Sequence, residues 1–421
     1  MSATAEAAVI LNDFCYVQGG ASKVAIDEAV ALREAGLDVT FLAAVGAPCE
    51  ALRDAGVRVL SLGQPELLQV WRHPGAALRS AWNSAAFAAT RAVLARLDPA
   101  STVVHLHGYT KALSTSPALA AQLAGFPTLC TLHDFFAACP NGAFYDYRRE
   151  EPCQLRALST SCVLTNCDKR HPLHKSYRVA RGVAQRHYAR FPDSVRDFIA
   201  LSRRSTELLL PYLSPGSRVY PLSNIIDTPP CATPVDVASN RTLLVLGRLD
   251  AEKGVMLAAA AAQHAGMPIV FAGDGPLRAA MQAAGATVTG WLDGAGVSQA
   301  LSQARCLVFP SRWYETFGLV VEEAAARGVP AIVSDVSAAS ERVADGVTGW
   351  IFRSGDLEDL VRCMRGVQDG ADVAAAGAAA HARFWADPHD ARHHVRNLLT
   401  IYDAVLARAR GAGNTQGMLA S

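Results

Sequence analysis

The sequence predicts an α/β protein made of two domains, each built on a parallel sheet. Three observations support this prediction. The chain has 421 residues, which is more than one hydrophobic core usually organises. Half of the residues are apolar (51%) and 18% are charged, which suits a globular protein with a large core. Short apolar runs alternate with segments of helical spacing, a pattern typical of parallel sheets with crossover helices.

The first half of the chain shows this alternation plainly. Ser22 to Ala35 has apolar residues at helical spacing, and Gly36 is a typical stop signal. A loop containing Gly19 and Gly20 precedes this helix. The strands predicted in this half are short apolar runs: Ala7–Leu11, Asp38–Val45, Thr102–Leu106, Pro127–Leu132 and Asp197–Leu201.

A proline-rich connector separates the two predicted domains. The segment Asn224–Asn240 contains Pro229, Pro230 and Pro234, which favour an extended backbone. We expect four parts along the chain: an N-terminal domain over 1–228, a C-terminal domain over 229–384, a helix over 385–410 and a loose tail over 411–421.

The alternation of strands and helices restarts after the connector. The strands predicted there are Thr242–Leu246, Pro268–Ala272, Cys306–Phe309 and Pro330–Ser334. Parallel sheets bind ligands at the carboxyl ends of their strands. Two such domains therefore predict a ligand-binding cleft between them.

The overall composition excludes several classes of protein. A formal net charge of +1 argues against a partner such as nucleic acid. Met1 to Ala8 lacks the features of a signal peptide, and the most apolar stretch, Val255–Gly273, is interrupted by polar residues and proline. We therefore expect a cytoplasmic enzyme whose ten cysteines are reduced.

The loop Gly247–Gly254 is the first candidate ligand-binding segment. It follows a predicted strand, leads into a helix and contains Arg248 and Lys253. Two fixed cations can take up the charge of a pyrophosphate leaving group. The chain has no Asp-x-Asp pair that would hold a metal for this purpose, so we expect no catalytic metal. The alternative is a surface arginine and lysine near a helix start.

A glycine turn follows the next predicted strand. Gly273 and Gly275 lie between that strand and a helix, whose first N–H groups could bind an anion. A single turn of this kind is weak evidence by itself.

Two glutamates lie in a third segment of the second half. Glu315 is in a loop after a predicted strand, and Gly318 opens a helix that contains Glu323. Ionised carboxylates accept hydrogen bonds from sugar hydroxyls, while the helix start at Gly318 and Leu319 can meet a phosphate. The spacing of the glutamates is near chance; their place between a strand and a helix makes them a candidate site.

Taken in order, these motifs resemble a known family. The matching segments are Gly19–Gly20, Val104–His107, Thr131–Asp134, Pro221–Asp227, Gly247–Gly254, Gly273–Pro276, Pro310–Ala324, Gly328–Pro330, Ser340–Glu341 and Gly346–Gly349. They resemble the retaining, nucleotide-sugar-dependent glycosyltransferases of family 4. The resemblance implies the GT-B architecture, with two Rossmann-like domains facing across a cleft and a last helix that crosses back to the N-terminal domain.

The resemblance also implies roles for individual side chains. Arg248 and Lys253 would bind the donor diphosphate and stabilise its departure. Glu315 would hold hydroxyls of the transferred sugar, and Glu323 would hold the ribose. His133 would contact the sugar from the N-terminal domain, although it could instead be a strand-end histidine with only a structural role.

Backbone groups would complete the donor site that the resemblance implies. Gly318 and Leu319 would offer N–H groups, and Gly19 or Gly20 would approach the diphosphate across the cleft. Gly273 and Gly275 would form a donor-binding turn. Glu341 is expected to be a helix-start contact rather than a catalytic group.

A cysteine-rich insertion at about 135–175 departs from the general family pattern. Cys139, Cys153, Cys162 and Cys167 fall within 29 positions, and four thiolates suit a structural zinc ion or, as the second choice, an iron–sulfur cluster. None of their spacings is Cys-x-x-Cys. The alternative is a set of reduced, partly buried cysteines.

A run of basic residues follows these cysteines. Between 169 and 190 there are seven Lys and Arg residues and no Asp or Glu. Such a helix could touch the inner face of a membrane or a lipid-diphosphate acceptor. The alternative is a solvated basic face.

The function expected from the sequence is sugar transfer from a UDP- or GDP-sugar to a glycan, lipid-linked or small-molecule acceptor. Within enzymes, the alternatives are a nucleotide-sugar epimerase and a sugar phosphorylase. From a different class, the alternative is a metal-stabilised binding or redox protein of the same fold.

Overall fold

The structure is a computed structural model that describes residues 4–67, 75–226, 228 and 233–419, with side chains as far as 411. It contains two parallel sheets, as the alternation of strands and helices predicted. The proline positions Pro229 and Pro230 of the predicted connector lie outside the described residues.

The first sheet has seven parallel strands in the order β3-β2-β1-β4-β5-β8-β9. The strands of the N-terminal half are β1 (Ala7–Phe14), β2 (Asp38–Val45), β3 (Arg58–Ser61), β4 (Thr102–Leu106), β5 (Thr128–Leu132), β6 (Tyr145–Asp146), β7 (Glu151–Pro152), β8 (Asp197–Ala200) and β9 (Arg218–Pro221). Its helices are α1 (Gly20–Glu34), α2 (Glu50–Asp54), α3 (Gly75–Ala81), α4 (Ser84–Leu94), α5 (Ser116–Leu123), α6 (Thr160–Leu164), α7 (Pro172–Tyr188) and α8 (Arg203–Leu209).

The second sheet has six parallel strands in the order β12-β11-β10-β13-β14-β15. These are β10 (Thr242–Leu246), β11 (Ile269–Ala272), β12 (Thr287–Gly290), β13 (Ala304–Phe309), β14 (Ala331–Ser334) and β15 (Gly349–Phe352). The helices of this half are α9 (Val255–Ala265), α10 (Arg278–Ala283), α11 (Gly294–Ser302), α12 (Leu319–Ala325), α13 (Leu357–Gly366), α14 (Gly370–Ala386) and α15 (Ala391–Leu419).

The central strands are buried along their whole length because helices cover both faces of each sheet. All eight residues of β1 are buried, and so are all six of β13. Continuous apolar runs are what a parallel sheet requires. The carboxyl ends of β1, β4 and β5 point toward those of the second sheet, and this edge positions the site.

The last helix returns to the N-terminal domain, as expected. Leu398, Tyr402 and Val405 of α15 are buried in one cluster with residues of α1 and β1. The hydroxyl of Tyr402 lies 2.9 Å from Nδ1 of His105 in β4. The backbone N–H of Ala5 donates to the carboxylate of Asp403.

The predicted loose tail needs a correction. Helix α15 continues to Leu419, and only the last two residues lie outside the described part of the chain. The segment after Gly411 contains no proline, so the helix meets no residue that blocks its backbone hydrogen bonds.

The cysteine-rich insertion forms a small unit beside β5. It contains the antiparallel pair β6–β7 and helix α6, and it leads into α7. Among the described residues, no helix combines the length and the apolar character that crossing a bilayer requires.

Candidate functional site

The candidate site lies where the carboxyl edges of the two sheets meet. The hydroxyl of Thr316, in the loop before α12, donates to the carbonyl oxygen of His133 after β5. A Cβ atom placed on Gly20 would lie 3.7 Å from a side-chain methyl of Leu319. The structure therefore brings the first glycine loop, the His133 segment and the start of α12 together.

Glu315 and Lys253, two of the residues predicted to bind a donor, are in direct contact. The Nζ atom of Lys253 lies 2.5 Å from Oε1 of Glu315. The same oxygen accepts hydrogen bonds from Ser311 at 2.6 Å and from the indole of Trp313 at 2.8 Å. Three donors hold this carboxylate in place, so its orientation is set by the protein before a ligand arrives.

The backbone at Glu315 adopts a conformation that is unusual for this residue type. Its φ angle is +48°, in the left-handed region that non-glycine residues enter rarely and at a cost. The three hydrogen bonds to its carboxylate offset that cost. Backbone strain held by side-chain contacts is common at functional sites.

Arg248 and Asp250 form a second ion pair at the same edge. The Nη2 atom of Arg248 lies 2.5 Å from Oδ2 of Asp250, and the arginine side chain is 64% exposed. Lys169 of the cysteine-rich insertion reaches the other oxygen of Asp250 at 2.7 Å and also Glu252 at 2.9 Å. The insertion is thus anchored to the loop that carries both predicted phosphate-binding cations.

The start of α12 lies shortly after Glu315, where the sequence predicted a contact with phosphate. Gly318 has φ +101° and precedes the first residue of α12, Leu319. A Cβ atom at Gly318 would lie 2.7 Å from the side chain of Ala339, so a larger residue does not fit there. Glu323 is half-buried in the second turn of α12.

The predicted glycine turn packs against the Arg248 loop. A Cβ atom at Gly273, where φ is +157°, would lie 1.8 Å from the carbonyl oxygen of Gly247. A Cβ atom at Gly275 would lie 2.6 Å from the carbonyl oxygen of Leu249. Glycine is therefore required at both positions by backbone packing, and a direct role in donor binding stays a prediction.

His133 lies at the carboxyl end of β5 and is hydrogen-bonded to a second histidine. Its Nε2 atom is 3.0 Å from Nδ1 of His107, and the two rings stack with centroids 5.2 Å apart. Burial, and to a lesser degree the neighbouring imidazole of His107, lowers the pKa of His133 to about 3. His133 is therefore a neutral imidazole at physiological pH.

Two of the four cysteines of the insertion, Cys162 and Cys167, contact a lysine. The Nζ atom of Lys175 lies 3.1 Å from the sulfur of Cys167 and 3.7 Å from that of Cys162. The sulfur of Cys139 contacts Asn141, whose amide also reaches Cys167. Burial would lower the pKa of Lys175, but the hydrogen bond to Cys167 and the charge of nearby thiolates raise it.

The sulfur atoms are not arranged as metal ligands. In the part of the chain that the structure describes, the one group of three or more potential ligands within 4.8 Å of one another is Glu28, His105 and His107. The four cysteines are not such a group, and the Lys175 ammonium lies beside two of their sulfur atoms. The zinc or iron–sulfur site stays a prediction.

Three of the seven cations of the 169–190 run, Lys175, Arg178 and Arg181, are partly or fully buried. Lys175 and Arg181 are buried, and Arg178 pairs with the buried Asp168 at 3.2 Å. Arg181 donates to the carbonyl oxygen of Thr110. The surface available for a membrane is therefore smaller than the sequence pattern indicated.

Glu341 is a helix-start contact, as predicted. Its carboxylate oxygens accept from the backbone N–H groups of Arg203 at 2.9 Å and Arg204 at 2.8 Å. These are the first residues of α8, which belongs to the other domain. Glu341 therefore joins the two domains.

Several residues of the site carried no recognisable sequence signal. Asp250 contacts Arg248, and Ser311 and Trp313 contact Glu315, but each looks like an ordinary loop residue in the sequence. The buried carboxylate of Glu28 lies under His107. Its position in α1 gave no hint of a polar role.

Both halves of the chain match known families. Residues 240–369 match the family described as glycosyl transferases group 1, and residues 19–224 match the glycosyl transferase 4-like domain.

The curated relatives are matched over part of their length. The chain is 36% identical over 147 residues to a glycogen synthase from Mycobacterium tuberculosis, covering 32% of this chain and 35% of that protein. It is 32% identical over 153 residues to a 2-deoxystreptamine N-acetyl-D-glucosaminyltransferase from Niallia circulans, covering 33% and 39%. The chain thus spans about a third of the length of the glycogen synthase that it matches.

Solved structures match over almost the whole chain. HepE from Anabaena, in complex with UDP and glucose, has a TM-score of 0.64 at 16% identity and covers 95% of this chain and 100% of its own. The sucrose-phosphate synthase of Thermosynechococcus elongatus has a TM-score of 0.62 at 17% identity and covers 99% and 100%. At these identities the likeness shows the fold, and it confirms the GT-B architecture. From the two family matches, the chain belongs to the group 1, family 4-like glycosyltransferases.

Proposed function

We propose that this chain transfers a sugar from a nucleoside diphosphate sugar to an acceptor hydroxyl, with retention of anomeric configuration. The observation that carries the proposal is the Lys253–Glu315 pair at the interdomain edge, facing the His133 segment. A diphosphate-binding cation and a hydroxyl-binding carboxylate in contact match the two halves of a donor molecule, phosphate and sugar.

The charges of the site would stabilise the departing diphosphate. Arg248 and Lys253 would exchange their bonds to Asp250 and Glu315 for bonds to phosphate oxygens. Because both cations are already held near the cleft, little reorganisation accompanies the build-up of negative charge. The N–H groups at Gly318 and Leu319 add a helix-start contact.

Positioning of the sugar would fall to Glu315 and His133. Ser311 and Trp313 fix one oxygen of Glu315, so its carboxylate can accept hydroxyl hydrogen bonds in a set geometry. His133 would approach from the other domain. Holding the reacting groups in place is itself a large contribution to rate.

The donor would be a uridine or guanosine diphosphate sugar. HepE was solved with UDP-glucose, which makes uridine donors the first to test. Glu323, half-buried in α12, would bind the ribose hydroxyls, as the family resemblance implies.

The acceptor would be a glycan or a lipid-linked molecule at the inner face of the membrane. The cysteine-rich insertion borders the cleft and would contact this acceptor. Leu164 and Leu173 are 79% and 71% exposed, and Arg170 is exposed near them in sequence. Exposed apolar side chains beside a cation suit a membrane surface. Vesicle co-sedimentation that does not depend on anionic lipid would contradict this part.

A structural zinc ion in the insertion is a separate proposal. A zinc ion held by Cys139, Cys153, Cys162 and Cys167 would have to replace Lys175 as the cation that balances the charge of their thiolates. Elemental analysis of protein purified without oxygen or added metal tests it. One zinc per chain supports the site, and the absence of both zinc and iron rejects it.

Donor consumption tests the main proposal. A thermal-shift screen of uridine, guanosine and adenosine sugar nucleotides finds the donor, and slow release of nucleoside diphosphate then reports turnover. We expect Glu315→Gln to abolish release, whereas Glu358→Gln, an exposed carboxylate of the same domain, leaves it unchanged. A sugar nucleotide that binds but is never consumed, with any acceptor, would favour the binding-protein alternative instead.

A further inference from the structure

A row of buried polar side chains connects His133 to the last helix. His107 contacts His133 through Nδ1 at 3.0 Å, and its Nε2 lies 3.3 Å from Oε2 of Glu28. The other oxygen of Glu28 lies 2.9 Å from Nε2 of His394 in α15. Nδ1 of His394 lies 2.8 Å from the carbonyl oxygen of Ser223. The row thus joins β5, β4, α1, α15 and the segment after β9.

The contacts of His394 determine where its protons are. A carbonyl oxygen can only accept, so Nδ1 beside Ser223 carries a hydrogen. Burial alone would raise the pKa of Glu28, but the imidazoles of His107 and His394 on either side of it hold it well below its usual value. Glu28 is therefore a carboxylate, and Nε2 of His394 also carries a hydrogen. The two form a buried ion pair.

The second oxygen of Glu28 fixes the proton of His107. Because Oε2 is an acceptor, the adjacent Nε2 of His107 carries a hydrogen. Neither atom has a hydrogen-bond partner among the described residues, and the two lie 3.3 Å apart. His394 already balances the charge of Glu28, so a neutral His107 avoids an uncompensated buried charge. Its Nδ1 is then an acceptor.

The tautomer of His107 determines which ring nitrogen of His133 carries the hydrogen. Since Nδ1 of His107 accepts, Nε2 of His133 must donate across their 3.0 Å contact. His133 is neutral, because burial lowers its pKa to about 3. A neutral ring with its hydrogen on Nε2 has its lone pair on Nδ1.

We propose that Glu28 and His107 form a buried relay that fixes His133 as the neutral tautomer whose Nδ1 accepts a hydrogen bond from a hydroxyl of the bound sugar. The sugar part rests on the proposed function. Glu28 and His107 are positioning residues, since both are buried beneath His133. The relay makes His133 an acceptor, so a sugar with fluorine in place of that hydroxyl loses the contact.

A metal ion is the competing explanation for the same side chains. Glu28, His105 and His107 lie close enough together to hold one. However, both ring nitrogens of His105 are engaged by hydroxyls, Nδ1 by Tyr402 at 2.9 Å and Nε2 by Thr131 at 2.7 Å. A histidine that uses both nitrogens in this way has none left for a metal, which favours the relay.

The tautomer of His133 can be measured in the wild-type protein without any donor. Long-range ¹H–¹⁵N spectra of histidine-labelled protein distinguish a protonated ring nitrogen from a bare one, and His133→Gln assigns the signal. We expect a hydrogen on Nε2 and none on Nδ1. A hydrogen on Nδ1 would overturn the relay, and so would one stoichiometric metal ion that is lost in Glu28→Gln.

Variants test whether Glu28 controls the tautomer and the turnover. In Glu28→Gln we expect the His133 signals to shift to a mixture of tautomers, with kcat for UDP-glucose hydrolysis about 10- to 100-fold lower at an unchanged KM. Tyr212→Phe is the control, because it removes a hydrogen bond of the same domain, to the backbone N–H of Ala157, away from the relay. Unchanged His133 signals in folded Glu28→Gln would reject the proposal.

A second substitution and the wild-type spectrum distinguish a folding defect, or a failure of the proposed function, from a failure of the relay. If Glu28→Gln does not fold, Glu28→Asp retains the charge at a shorter reach, and we expect partial recovery of the single tautomer. Equal mixtures of the two His133 tautomers in Glu28→Asp and in wild type would contradict the relay. If no donor is consumed, the proposed function fails while the wild-type spectrum still decides the relay.

Discussion

The ammonium of Lys253 lies 2.5 Å from Oε1 of Glu315, so the two side chains predicted to bind opposite parts of a donor are bonded to each other. Each holds the other in place near the cleft. A phosphate oxygen that takes over Lys253 would leave Glu315 with its bonds to Ser311 and Trp313. Lys253 can therefore exchange Glu315 for a phosphate oxygen while the carboxylate of Glu315 keeps its orientation.

Lys253→Met should weaken binding of UDP. A hydrogen bond to a charged group contributes about 1.5–3 kcal/mol, so we expect the dissociation constant to rise by about 10- to 150-fold, measured by titration calorimetry. Arg362→Met removes an exposed cation that pairs within α13 and should change nothing. Equal affinity of Lys253→Met and wild type would contradict the assignment of Lys253 to the diphosphate.

Gly254→Ala should destabilise the C-terminal domain strongly. Gly254 has φ +67°, and a Cβ atom there would lie 2.0 Å from the carbonyl oxygen of Pro310. Gly266 has φ +65° with nothing within 4 Å, so Gly266→Ala is a matched control. We expect a loss of unfolding free energy of about 1 kcal/mol for the control and about 3 kcal/mol for Gly254→Ala. If denaturant titrations give similar losses of unfolding free energy for the two variants, the backbone shifts easily to relieve the steric contact with Pro310.

Lys169→Met should release the cysteine-rich insertion. It removes the ammonium that bonds the buried carboxylates of Asp250 and Glu252, a loss of about 1–3 kcal/mol. We expect faster thermolysin cleavage between residues 135 and 175. Arg149→Met breaks an exposed ion pair inside the same insertion and should leave the cleavage rate at the wild-type value. Insensitivity of both variants would mean that apolar packing alone holds the insertion.

His389 should make the protein less stable on acidification. Burial and the charge of Arg342 lower the pKa of His389 to about 4, against about 6.5 in the unfolded chain. Between these values the unfolded state binds more protons, so stability falls as the pH drops from 6.5 to 4, by up to about 1.4 kcal/mol per pH unit. Other groups facing the ring are Asp387, His394 and Glu322.

His389→Gln should flatten this part of the stability curve. Denaturant titrations of wild type and variant at pH 6.5 and pH 5 give the difference in slope. His187→Gln, on the exposed surface of α7, is the control and should keep the wild-type slope. If the unfolding free energies of His389→Gln and wild type change equally with pH, the expected contribution of His389 is contradicted.

The central strands were predictable from the sequence because each is a short apolar run bounded by polar residues or glycine. The predicted limits of β2, β4 and β10 agree with the structure. The edge strands β3 and β9 were missed, because half-exposed positions interrupt their apolar pattern. Edge strands bury one side only, so their sequences resemble loops.

The donor side of the site was more predictable than its supports. Arg248, Lys253 and Glu315 lie in loops directly after strands, which is where parallel sheets carry ligands. The bond between Glu28 and His394 joins residues 366 positions apart. No local pattern reports such a contact, because it depends on how α15 folds back.

The return of α15 also sets the order in which the protein can be completed during synthesis. Tyr402 fills the core beside His105, 297 positions earlier in the chain. At about 5–20 residues per second, the ribosome takes roughly 10–40 seconds to make the stretch between the last strand of the first sheet and Tyr402. Throughout that time the first domain has an uncovered apolar face. Its final folding step therefore waits for the second domain, and the nascent chain needs protection from aggregation until then.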